Sequence, residues 1–154
     1  MHTHAERRIL PHTPRQLYDL VVDIEKYPKF LPWCRGARIR ERHDNIVIAD
    51  MIIGYRLFRE RFTSRVTLQP DAAEGPRIDV EYSEGPFKYL TNRWIFRPRP
   101  QGCEIDFFVE FEFRSRLLEK AVELLFHEAV RRMVAAFEKR ARALYGVGAA
   151  ASPQ

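Results

Sequence analysis

The chain has 154 residues, a length suited to one domain that buries about 68–70% of its unfolded surface and needs no metal or disulfide staple. Hydrophobic residues at 45% against charged residues at 31% exclude a disordered chain. The 26 basic and 21 acidic residues leave a net charge of +5, which permits contact with anionic lipid or nucleic acid without choosing between them.

A short strand is expected from about His4 to Leu10, ended by Pro11. Thr13 then caps a helix whose first position is Pro14, a residue with no N–H to lose there. Leu17, Leu20, Val21 and Ile24 recur at helical spacing and give that helix one apolar stripe. Pro28 and Pro32 bound a short ring-rich turn, Tyr27 to Trp33, whose apolar side chains need a surface to cover.

From Ala37 to Phe113 the period becomes two, the mark of strands. Val47, Ala49, Met51 and Ile53 share one face, with Asp50 on the other. Phe58, Phe62, Ser64, Val66 and Leu68 alternate with Arg59, Arg61, Thr63, Arg65 and Thr67. Ile78, Val80 and Tyr82 follow, then Leu90, Asn92, Trp94 and Phe96, then Ile105, Phe107, Val109, Phe111 and Phe113. Such alternation predicts an antiparallel meander with one buried and one wet face. On the wet face, Arg93 and Arg97 should lie beside Glu104, Asp106, Glu110 and Glu112 of the next strand. One long helix, about Ser115 to Tyr145, closes the chain, with Leu118, Val122, Leu125, Phe126, Ala129, Met133, Phe137, Ala141 and Leu144 as its stripe. Residues 1–146 form one domain and 147–154 read as a loose tail.

No run approaches the ~20 apolar residues of a membrane helix, and Met1 to Arg8 lack the apolar region of a secretory signal. Cys34 and Cys103 make no zinc pattern with the scattered histidines, and GxxxxGK[ST], GxGxxG and HExxH motifs are absent. The thiols fit a reduced, cytoplasmic protein.

A sheet curled around a helix can leave an apolar hollow between them. The inward rings, taken singly, are core residues. As a set with Met51, Met133, Ala49 and Ala129 they also have the composition of an apolar ligand pocket. Glu60 and Asn92 fall in phase with inward residues, where each is either satisfied locally or marks the polar end of a pocket.

The segment Asp23-Ile24-Glu25-Lys26-Tyr27-Pro28-Lys29-Phe30-Leu31-Pro32-Trp33-Cys34 resembles the Y-P-x-F-(L/V)-P-W-C segment of the coenzyme Q-binding family of START-like, polyketide-cyclase-like proteins. Ala49-Asp50-Met51, Phe58 to Ser64, Gly85-Pro86-Phe87 and Asp106 to Phe113 are similar to that family as well, so the resemblance runs from about Arg8 to Tyr145. It implies an α+β helix-grip fold, a curved antiparallel sheet wrapped around a long C-terminal helix. It also implies binding of ubiquinone or a related polyprenyl lipid, by a bacterial carrier or chaperone that supports respiration or quinone biosynthesis without catalysis, metal or catalytic cofactor. The family includes a toxin that blocks association of ribosomal subunits, which keeps the ribosome open as an alternative partner. DNA is not expected as a partner.

The candidate site is then Tyr27, Phe30 and Trp33 on a flap, with Met51, Phe58, Glu60, Phe62, Tyr82, Asn92, Trp94, Phe96, Phe107, Phe126 and Met133 inside. Lys29, Arg35, Arg38 and Arg40 near the flap suit transient contact with an anionic inner-membrane surface. A cyclase-like enzyme is the weaker alternative, since only Glu60 is an inward acid and no inward histidine accompanies it. An RNA- or ribosome-binding surface would draw on Arg59, Arg61, Arg65 and the arginines of the last helix.

Overall fold

A computed structural model of the chain describes residues 1–55, 58–123 and 125–146. The side chain of Phe58 and the expected tail at 147–154 lie outside the described residues. Among the described residues, seven antiparallel strands form one sheet: β1 (His2–Leu10), β2 (Cys34–His43), β3 (Ile46–Tyr55), β4 (Phe58–Gln69), β5 (Arg77–Glu84), β6 (Phe87–Arg99) and β7 (Gly102–Phe113). Their order is β1-β7-β6-β5-β4-β3-β2, a meander from β2 to β7 with the first strand added beside the last. β7 carries the alternation most cleanly, burying Cys103, Ile105, Phe107, Val109, Phe111 and Phe113 on one face. That is the face the period-two pattern predicts.

α1 (Pro14–Val22) starts where the sequence says it should. The Thr13 hydroxyl accepts from the Gln16 amide at 3.1 Å, and the Gln16 side chain accepts from the Thr13 amide at 3.0 Å. This reciprocal box satisfies two donors that a helix start otherwise leaves open. A 3-10 turn over Ile24–Lys29 follows, and its Glu25 carboxylate accepts from the Ile39 amide at 3.0 Å, tying the turn to β2.

The expected single C-terminal helix is instead two, α2 (Arg116–Glu123) and α3 (Phe126–Tyr145). α2 buries no side chain fully, although Leu118 and Val122 pack partly against the core, and it is held to the end of β7 by Glu119, which accepts from the Phe113 amide at 2.6 Å. α3 crosses the concave face of the sheet and buries Phe126, Val130, Val134, Phe137 and Ala141. The two stretches meet different surfaces, so one straight rod cannot serve both. Accordingly Leu125 and Leu144, expected in the stripe, are 43% and 50% exposed, and Val130 and Val134 hold the inward positions. At the far end the Tyr145 hydroxyl donates to the Gln16 carbonyl at 3.1 Å and pins α3 to α1. The curved sheet gripping α3 is the helix-grip fold.

Candidate ligand cavity and the arginine face

Between sheet and helix lies a cavity of about 190 Å³. Ala49 and Met51 of β3, Phe62, Ser64 and Val66 of β4, and Ile78 and Val80 of β5 form one side of its wall. Leu90, Asn92 and Trp94 of β6 continue it, then Phe107 and Val109 of β7. Met133 and Phe137 of α3 close it from above, and Val21, Ile24, Tyr27 and Leu31 close its end. Strand alternation explains the sheet side, because every second residue must face the helix. An apolar cavity near 150 Å³ takes a benzene ring, so this one has room for a ring-sized group.

Seven of the expected site residues are in the wall: Tyr27, Met51, Phe62, Asn92, Trp94, Phe107 and Met133. The others described are not. Phe96 is fully buried beyond the cavity, where Tyr18 of α1 meets it edge-on at 6.1 Å. Two residues along a strand is about 6.6 Å, enough to carry Phe96 from under α3 to under α1. Phe126 packs at the opposite end among His2 and Phe111, with ring centroids at 5.2 and 5.1 Å. Tyr82 sits against Phe87 at 5.4 Å, and Phe30 stands outside the wall, edge-on to Phe137 at 5.2 Å. Trp33 is half-buried, and its carbonyl accepts from the Gly54 amide at 2.9 Å. Glu60 is half-buried opposite Ile53 and outside the wall, so it marks no polar end of the cavity. The wall residues missing from the expected set, such as Val80, Leu90 and Phe137, carry a periodic apolar signal no different from that of ordinary core.

The wall's described polar groups are few. Asn92 spends its amide on the Phe108 carbonyl at 2.8 Å and its oxygen on the Trp94 indole N–H at 3.0 Å. It therefore fixes the ring of Trp94, which meets Phe107 at 4.8 Å and Phe137 at 5.1 Å. The Tyr27 hydroxyl donates to the Val21 carbonyl, and burial pushes its ionisation well above the ordinary phenol range. The Ser64 hydroxyl, by contrast, is buried without a hydrogen-bond partner. None of the described wall residues is a carboxylate, imidazole, amine or thiol. Both thiols, Cys34 and Cys103, lie buried outside this wall, with burial pushing Cys103 up to about 12.

The opposite face of the sheet has a different chemistry. A second concavity of about 350 Å³ is lined by Arg40, Asp50, Arg61, Thr63, Glu84 and Gly85. Asp50, expected on a wet face, is buried by its neighbours. The Thr63 hydroxyl donates to it at 2.6 Å, and Arg61, Arg38 and Arg40 approach at 3.2, 3.4 and 3.6 Å. Desolvation would raise this carboxyl, but the Thr63 and Arg61 hydrogen bonds and the charges of Arg40 and Arg61 hold it below the ordinary range. One carboxylate thus answers three guanidinium groups, and Glu84 is the second carboxylate lining this concavity. Farther along, Arg97 meets Asp106 at 2.7 Å and Glu104 at 3.6 Å, as the hairpin alternation predicts. Arg93 instead lies over the Phe108 ring at 5.0 Å.

A family model described as "Polyketide cyclase / dehydrase and lipid transport" matches residues 10–138. A ribosome association toxin of Rickettsia prowazekii is 40% identical over 135 residues, 88% of this chain and 92% of its own. A mitochondrial coenzyme Q-binding protein (homolog B) of Xenopus laevis is 32% identical over 148 residues, which are 93% of this chain but 59% of that longer one. Among solved structures, an 18 kDa protein of Caulobacter crescentus is 39% identical, with a TM-score of 0.77 over 95% of this chain and 99% of its own. Among the described residues, no helix is long and apolar enough to cross a membrane.

Proposed function

The chain belongs to the polyketide cyclase/dehydrase and lipid transport family, and from that membership we propose that it binds ubiquinone or a related polyprenyl lipid in the sheet–helix cavity, as a non-catalytic carrier or chaperone. The observation that carries this reading is the ring-sized apolar cavity beneath α3, walled by Trp94, Phe107, Phe137 and Met133. Each methylene taken out of water contributes about 0.8 kcal/mol, so a ring and the first part of its tail bind usefully. A cavity of about 190 Å³ does not enclose a whole isoprenoid chain. The rest of the tail runs out past the wall, and the proline-bounded turn at Tyr27 to Leu31 is the segment that yields. Similarity to the coenzyme Q-binding relative supports the choice of lipid. Mass spectrometry of an organic extract of natively purified protein tests it: a prenylated quinone in near-stoichiometric amount is the expected result, and an extract free of prenyl lipids after expression in a quinone-rich host overturns it.

A second reading rests on the arginine face. Arg38, Arg40 and Arg61 around one buried carboxylate make a cationic surface suited to a phosphate backbone, and the Rickettsia relative is named for ribosome association. Co-sedimentation with ribosomal subunits discriminates. Under this reading, the purified protein pellets with a subunit at low salt and leaves it as salt rises. The double change Arg38→Gln and Arg40→Gln, which leaves Arg61 and Thr63 on Asp50, weakens pelleting and leaves recovery of lipid unchanged. Pelleting insensitive to both salt and loss of these charges removes the arginine face from this role.

A further inference from the structure

Resting on the lipid reading, we propose that Ser64 is the polar anchor of the cavity, and that it donates its hydroxyl hydrogen to a carbonyl oxygen on the ring-sized head of the ligand. Ser64 is 6% exposed and lines the cavity, and its Oγ has no hydrogen-bond partner. A buried polar group in that state is destabilising unless something satisfies it.

The other polar groups of the described wall are committed elsewhere. Across the strands Ser64 pairs with Ala49 on β3 and with Tyr82 on β5, whose ring packs on Phe87 and whose buried hydroxyl, outside the wall, also has no hydrogen-bond partner. Along its own face it is flanked by Phe62 and Val66. Asn92 uses its oxygen and its amide within the sheet, and Tyr27 bonds to Val21. Ser64 is therefore the one unpartnered polar group among the described wall residues. A water molecule is a poor substitute, because an ordered buried water needs two to four polar partners and this wall offers one. The fitting occupant supplies an acceptor atom on an otherwise apolar ring: a quinone or an aryl ketone. This sets the orientation of the guest, head inward against β4 and tail outward past Tyr27 and Leu31.

The test uses two probes of matched shape, tetramethyl-1,4-benzoquinone and tetramethylbenzene, with the purified full chain and the variant Ser64→Ala. The wild type should bind both, and the variant should bind the quinone about tenfold more weakly while holding the hydrocarbon as before. Thermal unfolding of the empty variant should occur no lower than that of the wild type, since it loses an unsatisfied hydroxyl. Infrared spectra of carbonyl-labelled quinone give a second readout: the carbonyl stretch should move to lower frequency on binding the wild type and not the variant. Equal quinone affinity in the two proteins overturns the assignment and leaves the cavity reading intact, as does a parallel loss of both probes in the variant. Failure of the wild type to bind either probe overturns the cavity reading itself, and the anchor with it.

Discussion

Asp50 shows how much one residue's surroundings change its chemistry. A carboxylate shielded from water is costly, yet here a hydroxyl and three guanidinium groups satisfy it, and Thr63, Arg61 and Arg40 hold its ionisation low. A carboxyl depressed in the folded state adds stability that is present above its unfolded pKa and lost as the pH falls through its folded pKa. The window therefore opens below about pH 4. Asp50→Asn should cost about 1–3 kcal/mol at pH 7 and lose less on acidification to pH 3 than the wild type does. Urea unfolding at the two pH values measures this, and identical acid sensitivity would remove Asp50 as a contributor.

At the scale of elements, the turns decide whether strands of correct pattern can meet. Gly102, which opens β7 at the turn from β6, has φ +140°, and a Cβ there would lie 2.3 Å from the Leu10 carbonyl oxygen and 2.9 Å from the His12 amide. Those backbone atoms belong to the end of β1 and the approach to α1, so the turn is closely docked and they cannot yield cheaply. Gly102→Ala should destabilise by about 2–3 kcal/mol, read as a fall in the midpoint of chemical unfolding with no change in its slope. The break between α2 and α3 belongs to this scale too. The helical pattern runs through Leu125 without a proline or glycine to mark it, while in the fold α2 docks on β7 through Glu119 and α3 packs on α1 and β1.

At the scale of the whole molecule, one sheet separates two chemistries, an apolar hollow under α3 and an arginine-ringed carboxylate behind it. The proposed functions can therefore be broken separately. Ala49 is 4% exposed and lines the cavity. Ala49→Leu adds three carbons to that space, and should leave the fold as stable or up to about 2 kcal/mol more so. Recovery of co-purified quinone should fall at least tenfold. Unchanged recovery with an intact fold would mean the lipid lies elsewhere.

The sequence by itself determined the side on which each residue falls. A strict period of two in Ile105, Phe107, Val109, Phe111 and Phe113 admits one buried face, and Thr13 with Pro14 admits one helix start. Only the tertiary structure decided which inward residues border empty space. Trp94 and Phe96 carry the same signal two positions apart, yet one faces the cavity and the other is sealed under Tyr18. Ser64, in the sequence just another small inward residue, becomes distinctive only because Asn92 and Tyr27 have partners and it has none. The physical reason is that alternation encodes a direction perpendicular to the sheet. Position along each strand beneath a crossing helix depends on where α1 and α3 dock, and that is settled by packing between segments distant in the chain.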